Sequence, residues 1–332
     1  MTNSMDIRPL YGEKVDQLYQ GFEFNNPKNK PKPGFSWIIL GASGAGKESR
    51  GKYLLKKISS DEKNAPTKLS SGDIFRNQIL GGIKKEQADQ IKEVGRSLGD
   101  SLRERARDYK YIFNIFNDHS IKYGDAKQAV AAFQTLNGLF VDDAILLEYA
   151  ENQLKEYGGK RVVLDGHIRT EKQVPGILNL AKKYDINVGY ALLVHTPLLV
   201  LEERTAGRLS CPTAGCKRDY NTTAPDGSEN YPYQAYFDAE GLGWGQCHDH
   251  KVELVRRTDD YPEKVKTRLN EYKNNIPGVL KKLKEAKVPI FIVSGYLNPY
   301  SKEEMQKSVD EALNCENQKV MERFLNTKNQ FS

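Results

Sequence analysis

The sequence predicts an α/β fold in which helices cover a parallel sheet, and two observations support this prediction. Short apolar runs alternate with segments of helical periodicity, and the first apolar run ends directly in a glycine-rich loop. Strands that alternate with helices pair in parallel, because each helix returns the chain to the edge where the previous strand began. The predicted strands cover Ser36–Leu40, Thr67–Ser70, 161–164, 188–194 and 289–293.

Helical periodicity fills most of the sequence between these strands. The predicted helices cover 48–58, Asp143–Glu156, 173–184, 198–204, 263–286 and 302–325. Two stretches interrupt the alternation and are interpreted as insertions: residues 83–137, which are long and charged, and residues 210–250, which are rich in Gly, Tyr, Asn and Asp. The prolines and lysines of residues 25–33 predict a linker after an N-terminal extension.

The composition limits the class of protein. The chain has 332 residues, a net charge of +6 and 38% hydrophobic residues. The basic excess suits polyphosphate anions, although loose contact with nucleic acid would also fit it. No apolar run approaches the length of a membrane span, residues 1–22 lack the apolar core of a signal peptide, and four cysteines in so long a chain do not build a disulfide scaffold. We expect a cytoplasmic monomer with no membrane or nucleic-acid partner.

The loop after the first strand reads GASGAGKES over residues 41–49. Glycines at these spacings let backbone N–H groups turn inward around an anion, and the following helix adds its positive end. Lys47 would reach the outer phosphates, and Ser49 could face a magnesium ion. The Glu48 carboxylate would either repel the phosphates or point outward and favour the helix N-terminus. The candidate phosphate-binding residues are Gly41, Ser43, Gly44, Ala45, Gly46, Lys47, Glu48 and Ser49.

The hydroxyl residue of this loop follows the lysine by two places, and the loop resembles that of the adenylate kinase family, GxPGxGKG followed by Thr or Ser. Ser43 and Glu48 stand where that loop has proline and glycine. Further segments are similar to family motifs in the same order. They are KLSSGDIFR over 68–76, GLFVDD over 138–143, DGHIRTEKQ over 165–173, ERTAGR over 203–208 and LVRRTDD over 254–260.

The resemblance implies a role for each matching residue. It implies that the acceptor nucleotide is bound by Ser71, Arg76, Val141, Gly166, Arg169, Gln173, Arg257 and Arg268. It adds Arg204, Arg208 and Gly295 to the ATP site, and it places magnesium, through water, near Ser49 and Asp165. The catalytic set that it implies is Lys47, Arg169, Arg204, Arg257 and Arg268. Phe140, His167 and Ile168 depart from the family pattern, which has a leucine-like residue and a Phe-Pro pair there.

The fold implied by the resemblance is a P-loop three-layer sandwich with a parallel five-stranded sheet, an acceptor-binding insertion and a lid. Its parts would be an extension and linker at 1–34, core at 35–70, the acceptor-binding region at 71–137, core at 138–208, the lid at 209–256, and core with a C-terminal helix at 257–332.

The reaction implied by the resemblance is reversible phosphoryl transfer from MgATP to AMP, giving two ADP. Gln173 favours AMP, because an amide can both donate to and accept from the adenine edge. A UMP/CMP kinase is one alternative. A non-catalytic nucleotide-sensing or RNA-associated zinc protein is another, and the intact arginine set argues against it.

The predicted lid holds three of the four cysteines, in the pattern C-x4-C…C-x2-H. Thiolates combined with an imidazole suit tetrahedral zinc, and some members of the family carry a structural zinc there. The candidate ligands are Cys211, Cys216, Cys247 and His250, with His248 or Asp249 as alternatives for the fourth position. Reduced cysteines that are close by chance are the other interpretation. Cys315 is expected to be a packed residue of the C-terminal helix.

Residues 106–136 are more than short acceptor-binding helices require. Tyr109, Ile112, Phe113 and Phe116 fall at helical spacing and predict one apolar face. This face is apolar enough to pack on the domain or on a partner, and the simpler interpretation is an added helical pair that packs locally.

Overall fold

The computed structural model of the protein describes residues 30–59, 66–74, 79–80, 83–123, 125–196, 198–213, 216, 218–239, 243–256, 260–295 and 302–313. The strands are β1 (Ser36–Leu40), β2 (Thr67–Ser70), β3 (Val162–Asp165), β4 (Val188–His195), β5 (Arg208–Ser210), β6 (Asp219–Asn221), β7 (Tyr233–Phe237), β8 (Gly243–Gln246), β9 (Val255–Arg256) and β10 (Ile290–Ser294). The helices are α1 (Lys47–Ile58), α2 (Ser71–Ile74), α3 (Lys85–Ser97), α4 (Leu102–Arg105), α5 (Tyr109–Asp118), α6 (Ala126–Leu136), α7 (Asp143–Glu156), α8 (Gln173–Lys183), α9 (Leu198–Ala206), α10 (Pro262–Glu285) and α11 (Lys302–Leu313).

Several predicted features lie outside the described residues. They are the extension up to residue 29, Arg76, Arg257, Cys315 and the end of the predicted C-terminal helix.

The main sheet has five parallel strands, as predicted, and their order is β10-β4-β1-β3-β2. β1 lies in the middle, and each of its residues is buried. Because all five strands run in the same direction, the segments that follow them emerge at one edge of the sheet. Ligands of such sheets bind at that edge. It carries the glycine loop after β1, Ser71 after β2 and Gly166 after β3.

Alternate residues of β1 face opposite sides of the sheet, and each side has its own hydrophobic cluster. Ile38 and Leu40 belong to the cluster that contains residues of α7 and α8. Trp37 and Ile39 belong to the cluster that contains residues of α1 and α11. Helices therefore cover both faces, and the predicted α/β three-layer P-loop fold is confirmed.

The first insertion contributes to the main core. Ile112 and Phe116 of α5 and Phe133 of α6 are fully buried in the same cluster as Ile38 of the central strand. The apolar face predicted for α5 exists, with Ile112 and Phe116 at its centre and Tyr109 and Phe113 packed at its margin. Of the predicted arrangements, packing of this face on the domain is therefore the one that the structure shows.

The second insertion forms two small antiparallel sheets, β6-β5-β9 and β7-β8. Its buried cluster is small and consists of Leu209, Tyr220, Cys247 and Leu254, with Cys211 and Cys216 packed beside it. So few apolar side chains supply little stabilisation for a loop-rich unit. Within the part of the chain that the structure describes, no helix combines the length and the apolar character needed to span a membrane.

Candidate active site

The loop between β1 and α1 is shaped by glycines with a left-handed backbone. The φ angles of Gly44 and Gly46 are 79° and 80°, in a region that L side chains rarely adopt. A Cβ atom at Gly44 would lie 2.4 Å from the hydroxyl oxygen of Thr205. The loop therefore packs directly on α9, the helix that leads into the lid.

Lys47 is the first residue of α1, and its side chain folds back over the loop. Its Nζ donates hydrogen bonds to the carbonyl oxygens of Gly41 and Ala42 at 2.9 and 2.7 Å. Burial lowers the pKa of Lys47 to about 8, against the opposing effect of the Asp165 carboxylate. The ammonium thus lies in a poorly solvated position, where an anion would gain most from it.

Lys47 shares its cleft, of about 370 Å³, with several arginines. The charges of three of these, Arg169, Arg268 and Arg208, also lower the pKa of Lys47. The cleft extends from the glycine loop, along Asp165 and Gly166, to lid residues such as Tyr220. The structure therefore brings residues from five of the sequence motifs to one cavity.

Asp260 orients two of these arginines. Arg208 donates to both of its carboxylate oxygens at 2.6 Å, and Arg268 Nη1 lies 3.3 Å from Oδ1. The second terminal nitrogen of Arg268 donates to Ser43 Oγ of the glycine loop at 2.7 Å. Asp260 is fully buried, so its charge is well shielded from solvent. One carboxylate thereby links the start of the lid, α10 and the phosphate loop.

Arg204 and Arg169 are held by backbone carbonyls. Arg204 Nη1 donates to the Gly295 carbonyl at 2.6 Å, after the last strand. Arg169 Nε donates to the Gly166 carbonyl at 3.2 Å, and its guanidinium lies 5.6 Å from the ring centroid of Phe140. Both guanidinium groups line the cleft.

Gln173, which the resemblance assigns to the acceptor base, has its amide engaged by neighbouring protein groups. Gln173 is fully buried at the start of α8. Its Nε2 donates to Asp143 Oδ1 at 2.7 Å, and its Oε1 accepts from the backbone nitrogens of Arg169 and Thr170 at 2.6 and 3.2 Å. The amide thus closes the turn before α8, and its contact with the acceptor base stays a prediction.

Other acceptor-side residues occupy distinct positions. Ser71 lines the cleft, and its hydroxyl donates to the Gly166 carbonyl at 2.7 Å. Phe140 contributes to the cleft wall, whereas Val141 is buried in the main hydrophobic cluster. The wall next to Phe140 also includes Ile168, a residue that departs from the family pattern.

Two cationic residues in the cleft were missed by sequence reasoning. Arg50 of α1 is buried, burial lowers its pKa to about 10, and its Nη1 donates to the Gly46 carbonyl at 3.4 Å. Lys68 of β2 pairs with Asp165. Arg50 directly follows the glycine loop and Lys68 is the first residue of KLSSGDIFR, but the resemblance assigns no role to either, so only their side-chain directions reveal them.

Glu48, which departs from the family loop, forms an ion pair with Lys52 one turn further along α1. The distance from its carboxylate to the lysine Nζ is 2.9 Å, and about half of its side chain is exposed. Glu48 therefore lies at the solvent side of the cleft mouth, and the positive end of α1 favours its charge.

In the lid, the structure brings together the four candidate metal ligands, Cys211, Cys216, Cys247 and His250. Their ligand atoms all lie within 4.8 Å of one another. His250 Nδ1 is 3.6 Å from the sulfur of Cys211 and 3.4 Å from that of Cys247. This donor set and its compactness fit a tetrahedral zinc ion.

The environment of these ligands favours metal binding. Burial acts to raise the pKa of Cys247, but hydrogen bonds from Tyr220 and from the backbone and side chain of His250 lower it to about 6. A thiolate is the form that binds metal. Asp249, an alternative ligand, is paired with Arg218 at 2.6 Å instead.

The chain is similar in sequence to adenylate kinases from several bacteria. No protein-family model matches the chain. An adenylate kinase of Anaeromyxobacter dehalogenans is 30% identical over 159 residues, which are 48% of this chain and 67% of the relative. An adenylate kinase of Clostridium novyi is 26% identical over 263 residues, 78% of this chain and 90% of the relative. One from Mycoplasma capricolum is 25% identical over 236 residues, 71% and 80% of the two chains.

The parallel sheet and the glycine loop at its edge define an α/β P-loop protein. The chain belongs to the adenylate kinase family and is a nucleoside-monophosphate kinase, an enzyme that transfers a phosphoryl group.

Proposed function

We propose that this enzyme transfers the terminal phosphoryl group of ATP to AMP and forms two ADP. The observation that carries the proposal is the convergence of Lys47, Arg169, Arg208 and Arg268 on one cleft beside the glycine loop. Two anionic nucleotides repel each other, so several fixed cations are needed to hold them in line. Arginine suits this task because its planar guanidinium binds phosphate through two hydrogen bonds and stays charged.

The roles proposed for these residues follow from their positions. Lys47 and the loop amides would bind the outer phosphates of ATP, and Arg204 would lie on the donor side near Gly295. Arg169 would bind the acceptor phosphate beside Ser71 and Gly166. Arg208 and Arg268, held by Asp260, would carry the charge that develops on the transferred group. Arg76 and Arg257 are proposed for the acceptor side from the resemblance alone.

The donor set next to the loop fits magnesium. Asp165 and Ser49 line the same cleft as Lys47 and offer a carboxylate and a hydroxyl, the hard oxygen groups that this ion prefers. Bound with ATP, magnesium would neutralise phosphate charge during transfer. Asp165 would orient the water shell of the ion through its carboxylate, and Ser49 would complete that side of the site.

We further propose that the lid, residues 209–256, holds a structural zinc ion through Cys211, Cys216, Cys247 and His250. Three thiolates and an imidazole fill a tetrahedral site, so no position would remain for a reacting water. The ion would hold together a lid with a very small apolar cluster. Lid closure over the cleft would exclude water, which would otherwise hydrolyse ATP.

The choice of AMP as acceptor rests on the relatives, which are named adenylate kinases, rather than on Gln173. A UMP/CMP kinase remains the second candidate, because both ends of the Gln173 amide are already engaged by Asp143 and by the backbone of Arg169. The test is a coupled assay for ADP with MgATP and each of AMP, GMP, CMP and UMP. AMP should give the highest kcat/KM. Equal or better use of CMP or UMP would favour the second candidate, and no ADP with any acceptor would refute both.

A further inference from the structure

Lys68 forms an ion pair that the proposed roles do not use. Its Nζ lies 3.0 Å from Oδ2 of Asp165, and the two side chains are only 21% and 11% exposed. In the register of β2 and β3, Ser70 is the residue opposite Asp165. Lys68 is two residues earlier on the same face of β2, so its long side chain extends along the strand to the carboxylate. The pair is therefore directed toward the cleft edge of the sheet.

A second carboxylate faces the same cleft as this ion pair. Glu48, in the first turn of α1, lines the cleft together with Lys68 and Asp165 and is about half exposed. Although burial acts to raise the pKa of Glu48, its hydrogen bond with Lys52 and the charges of Lys52 and Lys68 lower it. Lys68 thus contacts one carboxylate directly and attracts the other through space.

Lys68 and a divalent cation compete for the carboxylate of Asp165. Magnesium and an ammonium group repel each other, and the low exposure of this pair leaves the repulsion poorly screened. The affinity of this site for the metal therefore falls as the Lys68–Asp165 ion pair becomes more stable. An alternative carboxylate in the same cleft would reduce this penalty, because the ammonium could move without losing its counter-charge.

We propose that Lys68 is a positioning residue that exchanges partners, from Asp165 to Glu48, when the metal–nucleotide complex binds. Glu48 is the carboxylate that receives Lys68, and the affinity of the site for the metal depends on this exchange. The inference rests on the proposed use of MgATP. It also gives a reason for a carboxylate in the phosphate loop: Glu48 serves the lysine and does not face the phosphates.

The test is a double-mutant cycle on metal binding, measured by electron paramagnetic resonance of Mn²⁺ with the full-length enzyme and the non-hydrolysable ATP analogue AMP-PNP. Lys68→Gln should tighten Mn²⁺ binding, and Glu48→Gln should weaken it, each by about fivefold or more. In the Lys68→Gln background, Glu48→Gln should change the affinity by less than about twofold. Lys57→Gln is the matched control, because it removes an exposed lysine of the same helix that pairs with Asp310 and does not line the cleft, and it should change Mn²⁺ affinity by less than about twofold.

Two outcomes would overturn the exchange. If Glu48→Gln weakens Mn²⁺ binding equally with and without Lys68, Glu48 acts on the metal itself. If Lys68→Gln leaves the affinity unchanged, the lysine does not compete for Asp165. Lys68→Met, which keeps an unbranched apolar side chain without the charge, replaces Lys68→Gln if the latter does not fold. If the wild-type enzyme does not bind AMP-PNP, the proposed transfer from MgATP is refuted instead, so the two failures are distinguishable.

Discussion

The buried carboxylate of Asp260 accepts two hydrogen bonds of 2.6 Å from Arg208. The two residues are 52 positions apart in the chain and stand at the entry and the exit of the lid. Such a bidentate pair fixes both the position and the plane of the guanidinium. The lid is therefore tied at its base by the same contact that aims an arginine at the cleft.

We expect Asp260→Asn to impair both stability and turnover, because it leaves buried positive charge without a counter-charge. Breaking a buried pair costs about 3–5 kcal/mol of unfolding free energy, and loss of an oriented cation lowers kcat by about 100-fold. Urea unfolding and the coupled ADP assay measure the two effects. Asp310→Asn is the matched control, since Asp310 pairs with the exposed Lys57, and it should cost less than about 1 kcal/mol. Similar effects of the two substitutions would contradict the role assigned to Asp260.

We expect the free energy of unfolding to fall in acid because His195 is buried. Burial at the end of β4 lowers the pKa of His195 from 6.5 to about 4. His195 therefore becomes protonated below pH 6.5 in the unfolded chain, but only below about pH 4 in the folded chain. Stability is full above pH 6.5 and falls between pH 6.5 and 4, by about 3 kcal/mol from this group.

The measurement is the free energy of unfolding between pH 7 and 4 for the wild type and His195→Gln. The variant should lose part of this pH dependence, whereas His119→Gln, a change at a less buried histidine, should retain it. An unchanged slope in His195→Gln would show that other groups cause the acid sensitivity.

From the four candidate ligands in the lid, we expect about one zinc ion per chain in protein purified without chelator. Chelation, or Cys211→Ser combined with Cys216→Ser, should loosen the lid first, because the four ligands hold its small cluster together. Turnover should fall through poor closure, while AMP-PNP binding at the phosphate loop should largely survive. Elemental analysis and hydrogen exchange of residues 209–256 measure these effects. Protein that contains no metal would contradict the zinc site and leave a packing or redox-sensitive cysteine cluster as the explanation.

The insertion should behave as part of the core. Phe116 of α5 is fully buried in the cluster that also contains Ile38. Phe116→Ala should therefore cost about 3–5 kcal/mol of unfolding free energy. Phe237→Ala in the lid hairpin is the matched control, because that ring is 60% exposed, and its effect should be small. If Phe116→Ala costs no more than the control, α5 packs only loosely on the domain.

Gln173 should prove more important for stability than for base selectivity. Its amide joins Asp143 to the backbone before α8, so Gln173→Ala leaves buried partners unsatisfied and should cost about 1–3 kcal/mol. The ratio of kcat/KM for AMP to that for CMP should change by less than about threefold, because the substitution removes no contact with the base. Gln90→Ala, on the exposed side of α3, is the stability control. A large loss of AMP preference would show that the amide turns into the cleft during catalysis.

Much of this protein is encoded locally. One continuous segment contains the apolar run 36–40, the glycine loop and the start of α1. The strand, the phosphate loop and the helix could therefore be predicted from the sequence. The parallel sheet followed from alternation, because short connections through helices leave few other arrangements. The cluster of Cys211, Cys216, Cys247 and His250 was also predicted from sequence, because cysteine and histidine are recognisable as candidate metal ligands by residue type.

Only the tertiary structure decided where side chains point and which distant residues meet. Gln173 matches its motif, yet its amide faces Asp143, because a buried amide must satisfy its hydrogen bonds wherever partners are available. Lys68 meets Asp165 only because β2 and β3 are neighbours, although 97 residues separate the two in the sequence. The core role of the insertion likewise depends on how α5 and α6 pack. Sequence spacing specifies backbone geometry over a few residues, whereas the pairing of charges and the burial of faces depend on packing between segments far apart in the chain.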